Sequence, residues 1–263
     1  MEFTRYVAIG DSFTEGVGDP DPSRPNGLRG WADRVAEVLT TRTDEFGYAN
    51  LAIRGRKLRG VLEEQVEPAL GLGPDLVTSY AGANDILRPR VDIDDLAAAY
   101  DEAVGRLAAT GATVVLFTAF DPGGSAIYRP MRGRFALYTE AVREISERHG
   151  TRLVDFWRMR EFREWGYWDT DRMHLGPSGH QHMAMAVLDA LEVPHSLTEL
   201  PPTPHPELTG REARAQNLEW ARTHAVPWVH RRLTGRSSGD TVSPKRPTLG
   251  PISGPIPDVD RVG

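Results

Sequence analysis

The sequence contains no cysteine. That excludes disulfides, thiolate metal sites and a cysteine nucleophile, and it is neutral about compartment. Nor is there an excess of positive charge: 31 Lys and Arg stand against 37 Asp and Glu, with a formal net charge of -6 and a pI near 5.8. A nucleic-acid binder would show a basic stripe, so nucleic acid is not an expected partner. No apolar run approaches the roughly eighteen residues of a membrane-spanning helix. The opening residues Met1-Glu2-Phe3-Thr4-Arg5 hold no basic segment followed by a long apolar one. No secretory signal is therefore expected, and the cytoplasm is the default location. Internal repeats are also missing.

What is present is an alternation of apolar runs with amphipathic stretches. Strands are expected at 6–9, 48–53, 76–81 and 113–117, with a short fifth strand starting at Leu153. Helical spacing covers 31–39, 58–70 with a break near Pro68, 92–109, 134–149 and 179–191. Ser178 and Gln181 stand at capping-box spacing at the start of the last of these. Strands alternating with helices predict an α/β fold: a flavodoxin-like three-layer α/β/α sandwich around a five-stranded parallel sheet. The handedness of crossovers leaves few topologies, and the order 2-1-3-4-5 is expected. Its 263 residues, 40% of them hydrophobic, suffice for one domain plus an appendage. The domain is expected over 1–197. A Pro-rich spacer and helical appendage follow over 198–234, then a disordered tail rich in Gly, Pro and Ser over 235–263. In the appendage Thr209 and Glu212 can form a cap, Leu218, Ala221, Ala225 and Trp228 an apolar stripe, and Pro227 a kink.

Four short motifs fall at or just past expected strand ends: Gly10-Asp11-Ser12, the segment from Asn50 to Gly55, Gly82-Ala83-Asn84-Asp85, and Asp171-Arg172-Met173-His174. In a parallel sheet the carboxyl ends share one edge, where such folds bind their ligands. Acyl transfer through serine needs a hydroxyl, a base, a group that orients the base, and donors for the oxyanion. Ser12 can be the nucleophile and His174 the base, with Asp171 three residues away as its orienter. The amides of Ser12 and Gly55 and the side chain of Asn84 can supply the oxyanion hole. Each residue also has a plainer reading. Ser12 can be an ordinary turn residue, His174 is one of eight histidines, and Asp171 can cap a turn. Gly55 and Asn84-Asp85 can be turn punctuation. Asp169 competes with Asp171 as orienter. Asp11 is read as a brace for the turn, and His180 and His182 lie on the last helix without a role.

These motifs resemble those of the SGNH hydrolases, the GDSL esterase/lipase family. The first block is Gly10-Asp11-Ser12-Phe13-Thr14-Glu15-Gly16, the second-block glycine is Gly55, the GxND block is Gly82 to Asp85, and the DxxH block is Asp171 to His174. The resemblance covers about 4–192. It implies a flavodoxin-like domain, serine esterase chemistry without metal or other cofactor, and Ser12, Gly55, Asn84 and His174 as the named quartet. Leu175 departs from the pattern, since many members carry proline after the histidine. The 198–263 appendage is outside it.

The expected activity is hydrolysis of carboxylic esters, with short acyl or acetyl groups favoured and a small-molecule ester as the partner. Lysophospholipase or thioesterase action on longer chains is the alternative, and a non-catalytic flavodoxin-like ligand-binding module is a further one. For the last, Gly16-Val17-Gly18 is a weak phosphate signal, because prolines follow where a phosphate-binding helix should begin. The acyl pocket is expected from loops that include 54–56, 121–124, Tyr128 and 165–168. Arg54 and Arg56 are read as solvent-facing rather than as selectors of an anionic substrate. The tail is expected to pack on the domain, with a protein contact or self-association through Trp220 and Trp228 as the alternative.

Overall fold

In the computed structural model, which describes residues 2–125, 127–204, 209–227, 230, 234 and 237–252, the first apolar run forms β1 (Arg5–Gly10). Along it Tyr6 and Ala8 enter one buried cluster while Val7 and Ile9 enter another. That period of two is the mark of a strand covered on both faces. The short helix α1 (Ser12–Glu15) follows at once, then α2 (Gly30–Leu39), β2 (Gly47–Asn50), α3 (Leu58–Val61) and α4 (Glu67–Gly71). Next come β3 (Leu76–Tyr80), α5 (Ala83–Ile86), α6 (Ile93–Ala108), β4 (Thr113–Phe117), α7 (Arg132–His149), β5 (Arg152–Val154) and α8 (Pro177–Ala190). The appendage adds α9 (Gly210–Trp220) and β6 (Arg246–Gly250).

Strands β1 to β5 are parallel and lie in the expected order 2-1-3-4-5. Helices α2 and α8 cover one face, burying Trp31, Val35, Met183 and Val187 against Tyr6, Tyr48 and Val115. The other face carries α3, α4, α6 and α7, with Val61, Tyr100, Val104 and Phe135 against Val7, Val77 and Leu116. The three-layer sandwich therefore holds.

Among the described residues the sheet has six strands rather than five. Strand β6 pairs antiparallel with β2, Tyr48 opposite Gly250 and Asn50 opposite Arg246, and it comes from the stretch whose composition suggested disorder. Pro247 and Gly250 weaken the strand signal, but a sheet edge tolerates a proline that a central strand would reject. Residues 253–263 of that stretch lie outside the described residues.

Details of three helices also differ from expectation. Helix α8 begins at Pro177 with Gly176 as its cap, because proline needs no N–H partner in a first turn. Ser178 Oγ is then free to donate to the Gly166 carbonyl, and Gln181 accepts from Arg34 Nε, so no capping box forms between Ser178 and Gln181. Pro68 sits in the first turn of α4, and the irregularity lies just before it, in a π turn at Leu62–Val66. A wider turn absorbs the missing proline N–H and its ring. In the appendage Thr209 and Glu212 do form a capping box, but Leu218 of the expected apolar stripe is 54% exposed. Trp228 lies outside the described residues. No helix among the described residues is long and apolar enough to cross a membrane.

Candidate active site

The end of β1 is fixed by a side chain far along the chain. Gln65 accepts from the Gly10 N–H at 2.7 Å and donates to its carbonyl at 2.9 Å. Asp11 then caps α1, its Oδ1 accepting from the Phe13 N–H at 3.0 Å, which makes Ser12 the first residue of that helix. Phe13 anchors the turn from below, with ring centroids 4.4 Å from Tyr80 and 5.4 Å from Trp31. Asn50 Nδ2 donates to the Thr14 carbonyl at 2.9 Å. The next loop passes so close to the loop after Trp168 that a Cβ on Gly18, whose φ is +99°, would collide with the Leu175 carbonyl. Backbone contact thus brings the Ser12 turn and the His174 loop together.

Within that loop Asp171 accepts three hydrogen bonds. Oδ1 takes the Met173 and His174 amides at 2.9 and 3.0 Å, and Oδ2 takes His174 Nδ1–H at 2.5 Å. Burial works to raise the Asp171 carboxyl, but the imidazole and these amides outweigh it and hold it below its ordinary value. With Nδ1–H committed to Asp171, the neutral ring keeps its lone pair on Nε2. Asp169 turns elsewhere: its Oδ1 accepts from the Thr170 amide and hydroxyl. His180 faces inward instead, its Nδ1 accepting from the Trp31 N–H and its Nε2–H donating to the Val17 carbonyl, both at 3.1 Å. His182 pairs with Glu161 at 2.8 Å.

The third and fourth motifs meet at Asn84. Its amide donates to Asp11 Oδ2 and to the Arg56 carbonyl, each at 3.0 Å, which fixes its NH₂ toward the Ser12 turn. Burial pushes the Asp11 carboxyl up to about 7, against the pull of the Phe13 amide and His174. Gly55 has φ +74° and is placed by its neighbour. Arg54 donates from its backbone N–H at 2.7 Å and from its guanidinium to Glu15, which is buried at the end of α1. The arginines beside Gly55 are therefore paired, Arg54 with Glu15 and Arg56 with Glu64 and Asp240, and neither faces solvent alone. The backbone N–H groups of Ser12 and Gly55 have no acceptor among the described residues.

One cavity of about 260 Å³ is lined by Ser12, Gly55, Asn84 and His174 together. Asp171 stands behind His174, 16% exposed at its side chain. Of the loops expected to build the acyl pocket, Tyr128 and Trp168 line this cavity, joined by Tyr80, Phe120 and Phe156. Leu175, the departure from the family pattern, lines it as well and is 2% exposed. Asp121 does not reach it, being taken up by Arg132, Arg160 and Arg163. Sequence reasoning missed Gln65, Glu15 and the tail residues Ser237 and Ser238, which also line the cavity. A buried Gln or Glu carries no local signal of what it holds.

Residues 8–182 match the family model of the GDSL-like Lipase/Acylhydrolase family. Among solved structures, the chain is similar to LAE5, an alpha/beta hydrolase enzyme from the metagenome of Lake Arreo, Spain. The identity is 26%, covering 73% of this chain and 97% of that one, with a TM-score of 0.61. It is also similar in fold to Axe2, an acetylxylan esterase from Geobacillus stearothermophilus, at 23% identity over 74% of this chain and 98% of that one, with a TM-score of 0.58. Among curated proteins none matches.

Proposed function

Since the chain belongs to the GDSL-like lipase/acylhydrolase family, we propose that it hydrolyses carboxylic esters through an acyl-enzyme formed on Ser12. The observation that carries this reading is the shared cavity. Ser12, His174, Asn84 and Gly55 come from four separate stretches and line one volume, with Asp171 bonded to the far nitrogen of the imidazole. His174 Nε2 takes the Ser12 hydroxyl proton as Oγ attacks the ester carbonyl. The oxyanion is met by the Ser12 and Gly55 amides, which have no other acceptor among the described residues, and by Asn84, which gives up its bond to Asp11. His174 returns the proton to the departing alcohol. Water, activated by the same imidazole, then releases the acid and restores Ser12.

The cavity also supports a second reading of acyl length. Its 260 Å³ is several times the volume of an acetyl group, and one side is aromatic, with Phe120, Tyr128, Phe156 and Trp168. Burial of each added CH₂ there contributes about 0.8 kcal/mol. Acyl groups longer than the acetyl favoured by sequence are thus within reach of the site. A series of p-nitrophenyl esters from acetate to decanoate tests both points, with Ser12→Ala as control. Turnover that persists in Ser12→Ala, or a fluorophosphonate label that mass spectrometry places on another residue, refutes the nucleophile.

A further inference from the structure

The matched family region ends at residue 182, yet two serines from beyond it stand in the cavity wall. Ser237 and Ser238 open a turn that lies directly on Gly55: a Cβ there would collide with Ser237 Oγ and come within 3.2 Å of Ser238 Oγ. A Cβ on Gly239 would collide with the Arg54 carbonyl, so the two backbones touch. The turn is internally bonded, with the Ser237 N–H on Asp240 Oδ2 at 2.8 Å and the Gly239 N–H on Ser237 Oγ at 3.2 Å. Asp240 also faces Arg56 at 3.6 Å.

The turn is tied down immediately afterwards. Asn26 donates to the Ser243 carbonyl at 3.1 Å. Lys245, with a fully buried side chain, donates to the Arg29 carbonyl at 2.7 Å and pairs with the equally buried Asp33 at 3.0 Å. Strand β6 follows, and Ile252 joins the core cluster of α2 and α8. These contacts anchor the turn to the domain.

Besides the aromatic rings, Lys57, Arg88, Ser237 and Ser238 line the cavity, and Ser238 is exposed with no partner for its hydroxyl among the described residues. Resting on the esterase reading above, we propose that the 237–241 turn is a specificity-determining wall that selects esters whose alcohol part is small and hydroxyl-bearing. The acyl chain lies against the rings, and the alcohol part meets Ser238 beside Gly55. A bulky apolar alcohol would desolvate these polar groups without repaying their hydrogen bonds.

The test compares two butyrate esters, of glycerol and of 1-naphthol, on the full chain. Ser238→Ala should lower kcat/KM for glyceryl monobutyrate about 3–10-fold, mainly through KM, and leave naphthyl butyrate unchanged. Ser238→Thr, which keeps a hydroxyl, should restore the glyceryl ester. Equal effects on the two esters, or none on either, overturn the wall while leaving the esterase intact. Absence of turnover of both esters by the unmodified chain overturns the esterase reading and this inference with it.

Discussion

The indole N–H of Trp220 donates to the backbone carbonyl of Asp171 at 3.0 Å. The appendage thereby touches the residue that is hydrogen-bonded to the His174 imidazole. Between them Arg172 adopts φ +59°, a conformation that side-chain-bearing residues seldom take. Its guanidinium lies 5.1 Å from the Trp220 ring and 5.7 Å from Trp165, and its Nη1 donates to Asn217 at 2.7 Å. Helix α9 therefore holds a strained turn in place. Trp220→Phe keeps the ring and removes the donor. It should lower kcat on p-nitrophenyl butyrate about 2–10-fold while far-ultraviolet circular dichroism stays unchanged. Unchanged kcat would separate α9 from the chemistry.

Asn84 is expected to act on the transition state more than on substrate binding. Asn84→Ala should lower kcat about 10²–10³-fold with little change in KM. Steady-state kinetics on one ester decides it, and a variant that alters KM alone would make Asn84 a binding residue.

The choice between the two aspartates is open to direct comparison. Asp171 bonds the imidazole, whereas Asp169 bonds its own neighbour Thr170. Asp171→Asn should reduce kcat about 10³–10⁴-fold, because the wrong tautomer of His174 is then favoured. Asp169→Asn should leave kcat near that of the unmodified chain. The reverse ranking would exchange their roles.

Acid should destabilise the fold through His180. Burial pushes its imidazole down to about 4, from 6.5, and a proton on Nδ1 would also strand the Trp31 N–H. Its folded value is thus depressed. The stability it contributes is complete above pH 6.5 and is lost as pH falls toward 4, by up to roughly 3 kcal/mol. Urea unfolding across that range should show this slope, and His180→Leu should flatten it. An unchanged slope in the variant would point to other groups.

The buried pair under β6 offers a stability test free of catalysis. Burial raises the Asp33 carboxyl and lowers the Lys245 ammonium, and each offsets the other's charge. Lys245→Met should cost about 3–5 kcal/mol, because it leaves Asp33 buried without a cation. Adding Asp33→Asn to it should recover part of that loss in urea unfolding. Two losses that simply add would mean that the pair is not coupled.

The strand order and the four motifs were legible because each rests on residues close in sequence. An apolar run announces β1 and β4, and Asp171 reaches His174 within one turn. Gln65 on Gly10 and Glu15 on Arg54 were not legible, since they join positions 55 and 39 residues apart through ordinary polar side chains. Strand β6 was hidden by its own composition. Pro247 and Gly250 argue against a strand, and only the open edge of β2 and the waiting carboxylate of Asp33 make one. Ser178 and Gln181 matched a capping pattern, but tertiary partners in Gly166 and Arg34 claimed both side chains.

Lys245 reaches the Arg29 carbonyl across 216 residues. Closing so long a loop adds little to its equilibrium penalty, which grows only with the logarithm of length, but such distant contacts form late in folding. During refolding the parallel sheet can assemble before the last stretch of chain finds its slot. Helical signal should therefore return ahead of a finished cavity, and turnover should recover with a lag set by the docking of Lys245.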